Sequence, residues 1–168
     1  MELILWRHAD AEDASASREH DSRWREANVR DRSPDHERKL TAKGIKQATR
    51  MAKWLQARIP EDAVILVSPA KRAQQTARAL NPDFRTIKEI GTSAAAEDVL
   101  LACGWPRDER TVVVVGHQPT LGETAALLLT GAKEQWTLKK GAVIWIARRT
   151  DVANARTHLR AAISPDLL

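Results

Sequence analysis

The chain has 168 residues, the length of one domain with one core, and carries 27 Lys and Arg against 22 Asp and Glu, a net charge of +5. That excess is spread: 13 basic and 10 acidic groups over residues 1–9 and 40–131, 7 and 9 over 10–39, and 7 and 3 over 132–168. No single-sign run lines a groove, which argues against a nucleic-acid partner, and no apolar run approaches the roughly 18–20 residues of a membrane span.

The opening, MELILWRHAD, lacks a basic leader and a cleavage site, so no signal peptide is expected. Within it, Glu2–Trp6 reads as a buried strand. Residues 10–39 break the pattern: they are charged, Arg-rich and almost without aliphatics, and read as a long loop or partly helical lid. Residues 42–58 form an amphipathic helix with Ile45, Ala48, Ala52 and Leu55 on one face and Thr41 as its N-cap. Ala63–Val67 is a second strand, followed by a helix opened by Ser68 as N-cap and Pro69, running to about Leu80. A weaker third strand lies near Arg85–Ile90, and a helix spans Ser93–Cys103 with Gly104 as its stop. Thr111–Val115 is a β-branched strand, and Gly116-His117-Gln118-Pro119 leads into an apolar helix ending near Gly131. Ala142–Ala147 and Arg156–Ile163 read as a hairpin at a sheet edge. Strands alternating with helices predict a single three-layer α/β/α domain over 1–168, with a mainly parallel central sheet, an antiparallel edge and a charged insert at about 10–39.

Ligands of such sheets bind beyond the carboxyl ends of the strands. Arg7 and His8 follow the first strand, Ser68, Lys71 and Arg72 the second, and Gly116 and His117 the fourth. The remaining histidines, His20, His36 and His158, fall elsewhere. Two arginines suit phosphoryl oxygens, helix N-termini add to the anion field, and a neutral imidazole attacks phosphorus well. A second imidazole can donate to a non-bridging oxygen. Phosphoryl transfer through a phosphohistidine follows, with the guanidinium groups supplying the positive charge, so neither metal nor cofactor is expected.

These residues resemble a family. Arg7-His8-Ala9, Leu40-Thr41-x-x-Gly44, Ser68-Pro69-x-x-Arg72-Ala73-x-x-Thr76 and Gly116-His117-x-Pro119 look like the histidine phosphatase (phosphoglycerate mutase-like) superfamily over about residues 1–165. The small size, Ala9, the approach Asp35-x-x-Arg38-x-Leu40-Thr41 and the Gly116–Pro119 motif resemble its SixA-type phosphohistidine phosphatase branch. The resemblance implies that His8 is the nucleophile that becomes phosphorylated, that Arg7, Arg72 and His117 form the phosphate pocket, and that the fold is a mainly parallel sheet flanked by helices.

Two departures bear on substrate. Larger members of the superfamily carry a carboxylate as general acid, whereas Gln118 follows His117 here; Glu89, at the end of the third strand, is the nearest candidate, although the solvated loop carboxylate is the favoured reading of it. A weakly basic imidazole leaving group needs less proton donation than an alkoxide, so the missing acid favours phosphohistidine. The second departure is the length of 10–39, with Arg18, Arg23, Trp24, Arg25, Arg30 and Arg32; it suits a lid, a docking surface for a protein substrate, or a solvated insertion, and Trp24 favours an ordered segment. Ser68 and Gln118 join Glu89 as secondary site candidates.

Other chemistries fail. There is no phosphate-binding G-x-x-x-x-G-K-[ST] run, and zinc-type His spacing is absent. The single Cys103 has Glu109 where a thiol phosphatase loop needs Arg, and it suits a buried thiol in a reducing cytoplasm. Trp136 and Trp145 read as core rather than as a nucleic-acid face. The expected function is a phosphatase working through a phosphohistidine intermediate, acting on the phosphohistidine of a phosphorelay or phosphocarrier protein. A small-molecule phosphomonoesterase and a non-catalytic phosphoprotein-binding module are the alternatives.

Overall fold

Successive strand residues point to opposite faces of a sheet, and here both faces are apolar, which builds three layers. The computed structural model describes residues 1–13, 35–149 and 156–168; the expectations for Arg18, His20, Arg23, Trp24, Arg25, Arg30 and Arg32 lie outside them. Six strands form one sheet: β1 Glu2–Arg7, β2 Val64–Val67, β3 Arg85–Thr86, β4 Thr111–Gly116, β5 Val143–Arg148 and β6 Thr157–Ile163. Their order is β3-β2-β4-β1-β5-β6, parallel from β3 through β1, with β5 antiparallel to both β1 and β6. The parallel sheet and its antiparallel edge are as the sequence predicts.

Leu3, Leu5, Leu66, Val112, Val114 and Ile146 pack with Val99, Leu121 and Ala125 of α3 (Ala96–Ala102) and α4 (Thr120–Thr130). Ile4, Trp6, Ile65, Val67, Val113, Val115 and Trp145 face the other way, onto Met51, Leu55, Ala73 and Ala77 of α1 (Ala42–Gln56) and α2 (Lys71–Leu80). Strands buried on both faces explain why ELILW, VILV and TVVVV are unbroken apolar runs. Because β4 enters between β1 and β2, the helices change face across this pair, the arrangement that opens a crevice at the strands' carboxyl ends. Register places Arg7 of β1 beside Gly116 of β4, and Val67 of β2 beside Val115.

Several local expectations need correction. Thr41 does cap α1, its hydroxyl accepting from the Gly44 amide at 3.0 Å. Ile45, however, is 56% exposed; the buried stripe is Gly44, Ala48, Met51, Ala52 and Leu55. Gly44 sets that phase: a Cβ there would stand 1.9 Å from the Asp10 carbonyl, so this side of the helix abuts the chain leaving β1 and Ile45 turns outward. Ser68 is not the cap of α2, which starts at Lys71 after Ala70 with no side-chain cap. The third strand shrinks to two residues and passes into a 3₁₀ turn at Lys88–Ile90, and α3 begins only at Ala96. Gly104 and Gly131 end their helices with φ of +70° and +79°, the left-handed region glycine tolerates. Cys103 is buried, its thiol pushed up to about 11 by that burial; Trp145 is buried in the core on the α1 and α2 face, and Trp136 is half-buried against the core of the opposite face.

Candidate active site

The parallel ladder continues one residue past the strands: the His8 amide donates to Gly116 O at 3.0 Å and the Ser68 amide to Val115 O at 3.1 Å. Three chain exits therefore lie abreast, and the side chains of His8, Ser68 and His117 meet there, all buried. The two imidazole centroids stand 5.2 Å apart at 55°.

His8 is held by both ring nitrogens. Nδ1 lies 2.8 Å from Ala9 O, a carbonyl that only accepts, so the proton sits on Nδ1. Nε2 then carries the lone pair, to which Arg72 Nε donates at 3.3 Å. Burial lowers the His8 pKa to about 4, with the charges of Arg72, Arg7 and Arg38 adding to it against the Ala9 hydrogen bond. Behind the ring, Thr76 Oγ1 accepts from the Ala9 amide at 3.1 Å and donates to Arg72 O at 2.7 Å, tying the β1 exit to the first turns of α2.

Arg72 is 3% exposed in the first turn of α2. Its Nη1 donates to Asp35 O at 2.5 Å and its Nη2 to Asp35 Oδ2 at 2.9 Å, with His117 Nδ1 at 3.5 Å. Arg38 reaches Asp35 Oδ1 at 2.7 Å and Glu12 O at 3.0 Å. Burial would raise the Asp35 pKa, but hydrogen bonds and charge from Arg72 and Arg38 outweigh it and keep this carboxylate ionised. Arg7 donates through Nη1 to Leu138 O at 2.5 Å. The Nε atoms of Arg7 and Arg38 are both buried without a partner among the described residues, two cationic donors that suit an anion.

His117 presents Nε2 to Ser68 Oγ at 2.7 Å. With Arg72 donating toward Nδ1, the proton belongs on Nε2 and Ser68 accepts it. Burial, then the charges of His8 and Arg72, lower the His117 pKa to about 3. Ser68 thus serves the second histidine while its hydroxyl also accepts from the Ala70 amide at 3.3 Å just before α2, and the first of these roles is one that only the adjacency of β2 and β4 reveals. Gln118 turns away from the pocket: its Nε2 donates to Trp136 O at 2.6 Å and its Oε1 accepts from the Leu138 amide at 3.3 Å. It thereby holds the stretch whose Leu138 carbonyl receives Arg7. Gly122 lets that stretch lie against α4, since a Cβ would stand 1.7 Å from Trp136 O.

Glu89 is exposed on the 3₁₀ turn and forms no hydrogen bond or ion pair with either histidine. His36 corrects the sequence reading, which left it away from the strand ends. Its carbonyl accepts from the Lys71 amide at 2.9 Å, its ring lies 3.5 Å from Thr92 Oγ1, and it is near enough to His117 to depress that group's pKa. The end of the charged insert returns to the strand ends, bringing Asp35, His36 and Arg38 with it; the Asp35-x-x-Arg38 spacing was the only trace of this in the sequence. Among the described residues, no three His, Cys, Asp or Glu side chains gather as a metal site, and no helix is long and apolar enough to cross a membrane.

The family model of the histidine phosphatase superfamily (branch 1) matches residues 3–95, which carry Arg7, His8, Arg38 and Arg72. The chain belongs to this superfamily. A curated relative, an uncharacterized protein of Mycobacterium tuberculosis, is 34% identical over 96 residues, 56% of this chain and 61% of that protein, so the match leaves more than a third of the relative uncovered. The structure of the protein histidine phosphatase SixA complexed with tungstate shares the fold end to end, with a TM-score of 0.74, 22% identity and 99% of each chain covered. A phosphoserine phosphatase of Entamoeba histolytica in complex with 3-phosphoglyceric acid does so at a TM-score of 0.64 and 16% identity, over 97% of this chain and 96% of that one. The chain thus has the phosphoglycerate mutase-like fold, which the SixA structure shares over 99% of its length.

Proposed function

We propose that this member of the histidine phosphatase superfamily hydrolyses protein phosphohistidine through a phosphorylated His8. The observation that carries the reading is the state of His8: a buried, neutral ring with Nδ1–H fixed on Ala9 O and the Nε2 lone pair turned to the cationic Arg72. Arg7, Arg72 and His117 cradle the phosphoryl group. In the first step His8 Nε2 forms a bond to phosphorus as the bond from phosphorus to the substrate ring breaks; that ring carries a proton on its other nitrogen, so the electron pair passing to the leaving nitrogen releases neutral imidazole. A bound dianion favours protonation of His117, which then donates from Nδ1 to a phosphoryl oxygen while Nε2–H keeps Ser68. In the second step water attacks phosphorus, the electron pair returns to His8 Nε2, and orthophosphate leaves.

Leaving-group chemistry supports the substrate class. Among the described residues, Asp35 is held ionised by two arginines, Glu89 is unconnected, and Gln118 faces the 136–138 stretch, so no carboxylic acid stands ready to protonate an alkoxide. Departing imidazole is far less basic and dispenses with one. The test compares a phosphohistidine peptide with p-nitrophenyl phosphate and glycerol phosphate. The phosphohistidine peptide is expected to give the largest kcat/KM and glycerol phosphate the smallest, and His8→Ala to abolish both turnover and an acid-labile phosphoenzyme. Glycerol phosphate cleaved as fast as the peptide refutes this in favour of a small-molecule esterase; phosphate binding without turnover of any substrate refutes it in favour of a binding module.

A further inference from the structure

We infer that Asp35 is a specificity-determining residue: its carboxylate occupies the subsite, between Arg72 and Arg38, where a second anionic group of a substrate would bind. The inference rests on the phosphate-pocket reading above and concerns what that pocket refuses. Asp35 Oδ1 lies 2.7 Å from Arg38 Nη2 and Oδ2 lies 2.9 Å from Arg72 Nη2, so one carboxylate bridges two guanidinium groups. Its main-chain carbonyl takes Arg72 Nη1 as well, at 2.5 Å. Of Arg72, the edge by His8 and the approach to His117 remain for a phosphoryl group. The site is at the mouth of the pocket: the Asp35 side chain is 38% exposed and that of Arg38 20%, against 3% for Arg72.

Two arginines beside a phosphoryl site would otherwise form a receptor for a phosphoester that also bears a carboxylate. Such a molecule has to displace Asp35, and its carboxylate is repelled until it does. A phosphohistidine brings no second anion and leaves the bridge intact, and its protonated ring lies beside a negative charge that suits it. The same arginines that make the site cationic therefore exclude the carboxylate-bearing phosphoesters, because the chain supplies that carboxylate itself.

Titration calorimetry of the wild-type chain, Asp35→Asn and Asp35→Ala with orthophosphate and with 3-phosphoglycerate tests this, and it needs no turnover. In wild type 3-phosphoglycerate is expected to bind no better than orthophosphate. In both variants its affinity relative to orthophosphate is expected to rise by about tenfold, the scale of one charge-assisted hydrogen bond regained. An unchanged ratio overturns the inference, as does weaker orthophosphate binding in both variants without any gain for 3-phosphoglycerate, which makes Asp35 a support for Arg72 instead. If orthophosphate fails to bind the wild-type chain, the phosphate-pocket reading itself falls, a result distinct from the other two.

Discussion

Acidification of the wild-type chain removes stability stored in its two neutral histidines, and for His8 the amount follows from the structure. Its folded pKa is about 4, lowered first by burial and then by Arg72, Arg7 and Arg38, against 6.5 for the exposed group. The folded value lies below the unfolded one, so on acidification the unfolded chain takes up the proton first. Stability from the neutral ring is thus complete above the unfolded pKa and lost as pH falls through 6.5 toward 4. Between about pH 7 and about pH 4.5 the loss amounts to ~2.5 kcal/mol from this one residue, a substantial part of a domain's typical stability. The comparison is wild type against His8→Asn, which keeps a polar side chain of similar reach without a titration in this range. Urea unfolding followed by tryptophan fluorescence at both pH values gives two stability differences. The His8→Asn difference is expected to be smaller by roughly 2–3 kcal/mol. Parallel losses in the two proteins would refute the argument that His8 is held neutral by its surroundings.

Three further substitutions probe the supports of the site. Ser68→Ala strips the buried His117 ring of its Nε2 partner at 2.7 Å, so thermal unfolding is expected to register a loss of about 1–3 kcal/mol and steady-state assays a fall in kcat. Gln118→Ala releases Trp136 O and Leu138 N, and with them the carbonyl that holds Arg7; the expected signature is a KM raised by several-fold with a smaller change in kcat, partly restored by Gln118→Asn. Gly122→Ala puts a Cβ into the space of Trp136 O at 1.7 Å, which requires the 136–138 stretch to move; a drop of at least ~2 kcal/mol in urea-unfolding free energy is expected.

The four pocket residues were legible because each follows a strand whose apolar run ends abruptly in polar residues. Arg7, His8, Ser68 and His117 need only the parallel register of β2, β4 and β1 to meet, and that register follows from burying both faces of three unbroken apolar strands. Side chains that arrive by a returning loop carry no such periodic signal. Asp35, Arg38 and His36 reach the pocket because the chain doubles back onto α2, where His36 O receives the Lys71 amide, and charge spacing alone does not encode that path. The strand-end position of Ser68 marks it as a site candidate, but its hydroxyl's partner is not legible: a serine before a proline reads as a helix cap, whereas the hydroxyl lies 2.7 Å from Nε2 of His117, beyond a different strand. The misphased Ile45 has a similar origin, since backbone contact at Gly44, invisible to hydrophobic periodicity, decides which side of α1 faces inward.

The pocket is assembled from two kinds of attachment with different lifetimes. Arg7, His8 and His117 stand at or beside the ends of central strands whose main-chain ladders are sealed on both faces, so their backbone opens only when the whole sheet does. Asp35 and Arg38 belong to the chain by side-chain bonds and a few amide contacts at the pocket mouth, so they can part at a fraction of that free energy. Amide exchange should therefore fall into a slow class at residues 3–7 and 112–116 and a fast class at 35–39. Under the proposed reaction, a floor that persists through many openings of its own rim can exchange substrate for product without loosening the geometry around His8.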